Sequence, residues 1–372
     1  RLKTWENIFK QMLINEKEWQ TIWLDDSEKF VKVIDQTKLP HEFAIKDIKS
    51  SDDAALAIKD MIIRGAPLIG VMGAYGLMLG LKEDPSDENL ERTFIKLQST
   101  RPTAVNLNWA LKRIYNLVKV CPLEERFETA KKEAKLIENE DINMCEKIGD
   151  NGLEIIKKIA LNNKSKKINI LTHCNAGWLA TVNWGTALAP IYKAHRIGIN
   201  VHVWVDETRP RNQGASLTTF ELKHENVPHT VITDNAGGHL MQHKKVDLVI
   251  VGSDRTTIKG DVCNKIGTYL KALAAKANNI PFYAALPIST LDWDIYDGVQ
   301  NIPIEARCEE EVTHISGLNS KGYIEKVRLV HNECKAFNPA FDVTPNELVS
   351  GLITERGVCL ANEKAIKKLY QK

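Results

Sequence analysis

Four short segments carry residue types that can do chemistry, and each follows a run that reads as a β-strand. They are Thr172-His173-Cys174-Asn175-Ala176-Gly177, Asp206-Glu207-Thr208-Arg209, Asp234-Asn235 and Gly252-Ser253-Asp254-Arg255. In an open parallel sheet, ligands bind beyond the carboxyl ends of the strands, so these turns converge on one rim. Cys174 is expected at the entrance of a helix, where backbone N–H groups and the helix dipole favour a thiolate; the other reading is a buried structural thiol. Asp254 follows the wholly apolar run Leu248–Val251, which predicts a desolvated carboxyl with a raised pKa, the property a general acid needs. Asp206 and Asp234 serve as readily as N-caps as they do as catalytic groups.

The cations near these turns point to a phosphate. Arg64 precedes Gly65-Ala66-Pro67, where glycine lets a backbone approach closely, proline suits a first helical turn, and a helix N-terminus attracts anions. Arg101 in Arg101-Pro102-Thr103 and Lys265 in Asn264-Lys265-Ile266-Gly267 add one candidate charge from each half of the chain. A small anionic ligand held between two domains is expected. No G-x-G-x-x-G follows a strand, and no P-loop, H-E-x-x-H or G-x-S-x-G occurs, which removes support for dinucleotide oxidoreductases, P-loop phosphotransferases, zincins and α/β-hydrolases. A cofactor-free reaction on a phosphorylated metabolite remains.

The elements that must position these groups form a repeating pattern. From about residue 165 the apolar runs Ile168–Thr172, Val201–Val205, Thr230–Thr233, Asp247–Val251 and Phe282–Leu286 alternate with stretches of helical spacing. Strands separated in this way pair in parallel through right-handed crossovers, so a doubly wound, Rossmann-like α/β domain is predicted. Before it come short alternating runs, Glu18–Leu24 and Phe30–Ile34, and helical segments at Ser51–Ile63, Pro67–Leu81 and Asp87–Gln98, which predict a smaller α+β domain. Arg126–Leu161 is charged on one face and apolar on the other, as expected of helices joining the two. The division is placed near residue 140, giving units 1–140 and 141–372.

Composition narrows the class further. The 372 residues are 43% hydrophobic and 26% charged, ordinary for folded domains and long enough for two. Fifty Lys plus Arg against 48 Asp plus Glu leave a net charge of +2, too balanced to imply a nucleic-acid groove or an acidic membrane surface. The segments Ala66–Leu81 and Ile170–Tyr192 fail as membrane spans through their proline, glycine and polar residues. Seven cysteines without a C-x-x-C pair suggest neither a zinc site nor a disulfide framework, and fit a reducing, cytoplasmic setting. Asn163-Lys164-Ser165 matches a glycosylation acceptor and is expected to go unused.

At the residues already singled out, the chain resembles the methylthioribose-1-phosphate isomerases, within the superfamily shared with the regulatory subunits of translation initiation factor 2B. The resemblance runs from about Ile62 to Gly357 through Arg64-Gly65-Ala66-Pro67, Arg101 to Asn106, Thr172 to Gly177, Asp206 to Pro210, Gly260 to Thr268 and Asn338 to Asp342. It implies an aldose–ketose isomerase, an intramolecular oxidoreductase, that converts S-methyl-5-thioribose 1-phosphate to the corresponding ribulose 1-phosphate in methionine salvage. It further implies Cys174 and Asp254 as the catalytic pair. Arg64, Gly65, Ala66, Arg101, Gln213, Asn264 and Lys265 would hold the substrate, in a homodimer that uses neither metal nor nucleotide.

Trp178 and Trp184 depart from the commoner pattern of that family. They raise two alternatives, a reshaped pocket for the 5-substituent, with 5-deoxyribose 1-phosphate as substrate, or simple core packing. A non-catalytic regulatory subunit is the rival from a different class, and a ribose 1,5-bisphosphate isomerase is a third. The presence of both Cys174 and Asp254 speaks against the regulatory subunit, and an apolar neighbour at Trp178 against a second phosphate.

Overall fold

The computed structural model describes residues 12–14, 17–162 and 167–370; the Asn163-Lys164-Ser165 sequon lies outside the described residues. The N-terminal part begins with two paired two-residue strands, β1 (Leu13–Ile14) and β2 (Lys17–Glu18), and an antiparallel sheet of β3 (Ile22–Leu24), β4 (Val31–Ile34) and β5 (Ile45–Ile48). Four helices follow: α1 (Ser51–Lys59), α2 (Ala66–Glu83), α3 (Asp87–Thr100) and α4 (Val105–Val118). Ser50 and Asp53 close a capping box at the start of α1. Helix α2 is apolar on all sides and buried from Ala66 to Leu81, so it forms the axis of this half, with its N-terminus aimed at the other half.

Helix α5 (Arg126–Asn162) joins the halves without a linker. Its Ala130, Ala134 and Ile137 belong to the core around α2, whereas Cys145, Ile148, Leu153 and Ile156 belong to the core of the second half, and Ile142 touches both. The expected division near residue 140 therefore falls where one continuous helix changes partners, and we propose it as the boundary between the two units.

The second half is built on a seven-stranded sheet. Strands β6 (Ile168–Thr172), β7 (Val201–Asp206), β8 (His229–Ile232) and β9 (Leu248–Val251) belong to it, separated by α6 (Ala189–Arg196), α7 (Thr219–His224) and α8 (Ala236–Gln242). Beyond β9 come β10 (Arg255–Thr257), β11 (Val262–Lys265), α9 (Thr268–Ala277), β12 (Phe282–Ala285) and β13 (Leu291–Asp292). The chain then forms α10 (Gly298–Asn301), α11 (Glu310–Thr313), a hairpin of β14 (His314–Leu318) and β15 (Ile324–Arg328), and β16 (Phe341–Thr344). It ends with β17 (Gly351–Thr354), β18 (Gly357–Cys359) and α12 (Glu363–Tyr370).

The large sheet has the order β18-β17-β12-β9-β6-β7-β8, parallel except for the edge strand β18. Its side chains alternate between two cores: Ile170, Leu248 and Ile250 face one, and Leu171, Val249 and Val251 face the other, the period of two that a sheet covered on both faces requires. This is the predicted α/β architecture, with strand ends shifted by a residue or two. The sequence shows neither the β17–β18 edge nor a second sheet, of order β13-β10-β11-β16, whose strand β11 carries the candidates Asn264 and Lys265.

Candidate active site

The cavity at the strand ends is built from both halves. Its wall includes Arg64, Gly65, Ala66 and Pro67 from the entry to α2, Cys174 and Asn175 after β6, Asp254 after β9, and Asn264 from β11. Six residues singled out from the sequence, Cys174, Asp254, Arg64, Gly65, Ala66 and Asn264, thus meet around one space. Lys265, the last residue of β11, is buried, and its charge acts on both Cys174 and Asp254. Arg101, just after α3, is not in the wall of that space; its charge acts on Asp254, and it is ion-paired to Glu305 at 3.1 Å. Gln213 is buried with Oε1 unpartnered and lines an adjoining groove of about 620 Å³. Arg64 borders both spaces, and Leu217, Ile315 and Ile324 give the groove an apolar side.

Two glycines allow this close assembly. Gly65 has φ +102°, and a Cβ there would stand 2.4 Å from the carbonyl oxygen of Ala180, so the turn into α2 packs directly on the loop after β6. Gly65→Ala is expected to cost about 3 kcal/mol or more, from backbone strain plus overlap; a denaturation midpoint equal to that of the unmodified protein would show that the contact is not needed. A Cβ at Gly252 would lie 2.6 Å from the Ala176 methyl, so the turns that carry Cys174 and Asp254 touch only because no side chain separates them.

Cys174 is not at a helix entrance. The residues after it form an irregular buried loop with one 3₁₀ turn, Trp178–Ala180, and the next α-helix begins at Ala189. The expected thiolate-favouring helix dipole is therefore absent. Burial pushes the thiol pKa up, while Arg64 and Lys265 pull against that shift. The backbone of Cys174 is held at φ +67° by Thr208, whose Oγ1 accepts from its N–H at 2.8 Å, and by Thr218, whose Oγ1 donates to its carbonyl at 2.8 Å. Asp254 is pinned by its N–H, which donates to the Cys263 carbonyl at 2.9 Å. Burial raises the Asp254 pKa, as the apolar run before it predicts, and Lys265, Arg64 and Arg101 oppose the rise. The side chain keeps some accessible surface although protein surrounds it at longer range. Burial likewise lowers the pKa of Lys265, against the pull of Cys174 and Asp254.

The anion-binding expectation has a concrete counterpart. The N-terminus of α2 has no side-chain cap and no acidic residue in its first turn, and its first residues, Ala66 and Pro67, lie in the cavity wall with Arg64, so the positive end of the helix is left open to an anion there. Arg64 donates to Asn175 Oδ1 at 2.6 Å and to the Asn175 carbonyl at 2.9 Å. Across the interface Arg255 donates to the Thr103 carbonyl and pairs with Asp292 at 3.3 Å, fastening the Arg101 loop to the second sheet.

Asp206 and Asp234 are neither N-caps nor part of the cavity wall. Asp206 Oδ2 lies 2.8 Å from His173 Nδ1 and 3.1 Å from Lys271 Nζ, and Asp234 accepts the Thr208 and Arg209 backbone N–H groups, each at 2.7 Å. Among the described residues, His173, Asp206 and Asp234 form the one group of three spaced like metal ligands. These groups are already engaged within the protein: the Lys271 ammonium pairs with the Asp206 carboxylate at 3.1 Å, and both Asp234 oxygens take backbone N–H groups. The cluster ties β6, β7 and α9 together beneath the site.

Trp178 is fully buried in the core and Trp184 nearly so, and neither belongs to the cavity wall, so core packing is the reading that holds. Among the buried acids without a signal in the sequence, two hold the loop after Cys174. Glu221 on α7 accepts the N–H groups of Trp178 and Leu179, and Asp141 on α5 accepts that of Val182 at 2.7 Å. Burial pushes each of them up to about 7 against these bonds. Neither has a local signal, because each serves backbone far away in sequence.

Residues 62–360 match the initiation factor 2 subunit family. The methylthioribose-1-phosphate isomerase of Methylocella silvestris is 58% identical over 361 residues, which span 97% of this chain and 99% of that protein. The crystal structure of 5-methylthioribose 1-phosphate isomerase from Pyrococcus horikoshii superposes with a TM-score of 0.82 at 37% identity, covering 100% of this chain and 99% of that one. That of the translation initiation factor eIF-2B subunit delta from A. fulgidus gives 0.77 at 38% identity, covering 95% and 99%.

Proposed function

The chain belongs to the initiation factor 2 subunit family, and from that membership together with its 58% identity to a methylthioribose-1-phosphate isomerase over nearly the whole chain we propose that it is an isomerase of S-methyl-5-thioribose 1-phosphate, producing the ribulose 1-phosphate for methionine salvage. The observation that carries the reading is the meeting of Cys174 and Asp254 in one cavity, walled by the helix terminus and the arginine that suit a phosphate. A regulatory subunit, for which the likeness to an initiation-factor chain speaks, has no need of a buried thiol and a raised acid at the same place.

The substrate sets the order of events. Its C1 phosphate closes the sugar as a ring with no free aldehyde, so ring opening comes first. Asp254 gives its proton to the ring oxygen as the bond from that oxygen to C1 breaks, leaving electron deficiency at C1 and a carboxylate at Asp254. The hydrogen of C2 then reaches C1, either with its electron pair or as a proton removed to a base and redelivered. The O2 hydroxyl loses its proton as the C2 carbonyl forms, and that proton restores Asp254. With its pKa raised by burial, Cys174 rests as the thiol, which suits a polarisable neighbour for the electron-poor carbon better than a standing base. This internal transfer of two electrons from C2 to C1 makes the enzyme an intramolecular oxidoreductase.

Arg64, Lys265, Arg101 and the backbone at Gly65 and Ala66 would hold the phosphate, and Asn264 and Gln213 the sugar hydroxyls. Arg64→Ala and Lys265→Ala should each weaken binding of a simple phosphate analogue about tenfold or more; unchanged affinity, measured by calorimetry, would remove that residue from the site. The same reading includes a homodimer, which sedimentation in solution tests, and a cytoplasmic setting, which the seven free cysteines suit. Among the described residues no helix is long and apolar enough to cross a membrane.

Kinetics on the methylthio, 5-deoxy and 5-phospho forms of ribose 1-phosphate, run side by side, test the assignment. The methylthio sugar should give the highest kcat/KM; no turnover with any of the three would favour the regulatory reading.

A further inference from the structure

The loop that carries Cys174 and Asn175 hangs on a carboxylate for which the chemistry above has no use. Glu221 is fully buried and does not reach the cavity wall. Its Oε1 accepts from Asn175 Nδ2 at 2.8 Å and from the Leu179 N–H at 3.0 Å, and its Oε2 from the Trp178 N–H at 2.8 Å and Tyr192 Oη at 2.5 Å. Four donors on two oxygens fill the carboxylate, and a buried acid is tolerated when its lone pairs are filled in this way.

The consequence lies on the other side of Asn175. An amide side chain has a donor end and an acceptor end, and the donor end is committed to Glu221 and, at 3.3 Å, to Thr218 Oγ1. The acceptor end must therefore turn outward, where Oδ1 and the backbone carbonyl together take two nitrogens of the Arg64 guanidinium. Turned the other way, Asn175 would set an NH₂ group against a cation and leave Glu221 facing a carbonyl. Arg64 pairs with no carboxylate among the described residues. Its direction is thus fixed by neutral acceptors while its charge stays available to an anion, the condition for a forked phosphate contact.

We propose that Glu221 is a positioning residue that, through Asn175, aims the Arg64 guanidinium at the substrate phosphate. The inference rests on the proposed role of Arg64 as a phosphate ligand, and it assigns Glu221 to binding rather than to proton transfer.

Calorimetric titration with sulfate tests it, since sulfate stays a dianion across neutral pH and its binding needs no turnover. Glu221→Gln keeps the shape but sets an NH₂ group against one of the four donors. It should weaken sulfate about tenfold and raise KM for the sugar phosphate by a similar factor, with kcat changed less than about threefold. In an Arg64→Ala background it should change neither quantity further. Asn175→Ala should reproduce the loss, and unchanged sulfate affinity in that variant overturns the proposal whether or not the Glu221 variant folds. A carboxylate that merely stabilised the loop would lower kcat through a reduced folded fraction while leaving KM and sulfate affinity unchanged, and that result overturns the proposal. So does an equal loss of sulfate affinity with and without Arg64. Normal sulfate behaviour in a protein without isomerase activity would sink the isomerase reading and leave this one standing.

Discussion

Asp254→Asn should lower kcat by about a thousandfold while leaving KM within a few-fold, the loss typical of removing a general acid. The substitution keeps the shape of the side chain and its backbone N–H bond to Cys263, so the phosphate contacts are untouched, and only the transferable proton disappears. The pH dependence has a definite sign. Burial raises the pKa of Asp254, so the active, protonated form persists above the ordinary carboxylate range, and kcat falls as pH rises through the raised value. Near-normal turnover in the variant, measured under saturating substrate, would show that some other group protonates the ring oxygen.

The second large effect is at Cys174. Cys174→Ser should slow turnover about a hundredfold or more, because a serine hydroxyl is smaller and far less polarisable than sulfur. Since burial pushes the thiol pKa up, the working form at neutral pH is the neutral thiol, and kcat should show no rising limb between pH 6 and 8 of the kind a thiolate base would give. A clear rise across that range, lost in the serine variant, would restore the thiolate as base. Alkylation provides an independent check: substrate should protect Cys174 from iodoacetamide, whereas equal labelling with and without substrate would place the thiol outside the substrate's reach.

What the sequence made legible follows from where the information is stored. The parallel strands announce themselves because each is a short apolar run, and β9, Leu248–Val251, is buried at every position; the desolvation of Asp254 follows from that run alone. Arg64 and Gly65 were legible because a glycine before a proline-bearing helix start has a local meaning. The second sheet was not. Its strands β10 and β11, Arg255–Thr257 and Val262–Lys265, are three and four residues long, rich in polar side chains, and show no alternation, although they carry Asn264 and Lys265 into the site.

The error at Cys174 has the same origin. Residues 176–189 are apolar enough to suggest a helix, yet the chain runs irregularly there because distant acids take up its backbone donors: Glu221 those of Trp178 and Leu179, Asp141 that of Val182. A buried loop needs such partners, and a partner some forty residues away leaves no trace in the local pattern.

Burial raises the pKa of Asp254, so its carboxyl should keep a proton above the ordinary carboxylate range. Infrared difference spectroscopy across a pH series, the unmodified protein minus Asp254→Asn, isolates that group, since the other buried acids cancel. We expect the carbonyl-stretch band of the protonated acid to give way to carboxylate bands only above the pH range of an ordinary carboxyl. Conversion within or below that range would contradict the assignment of Asp254 as the acid that opens the ring.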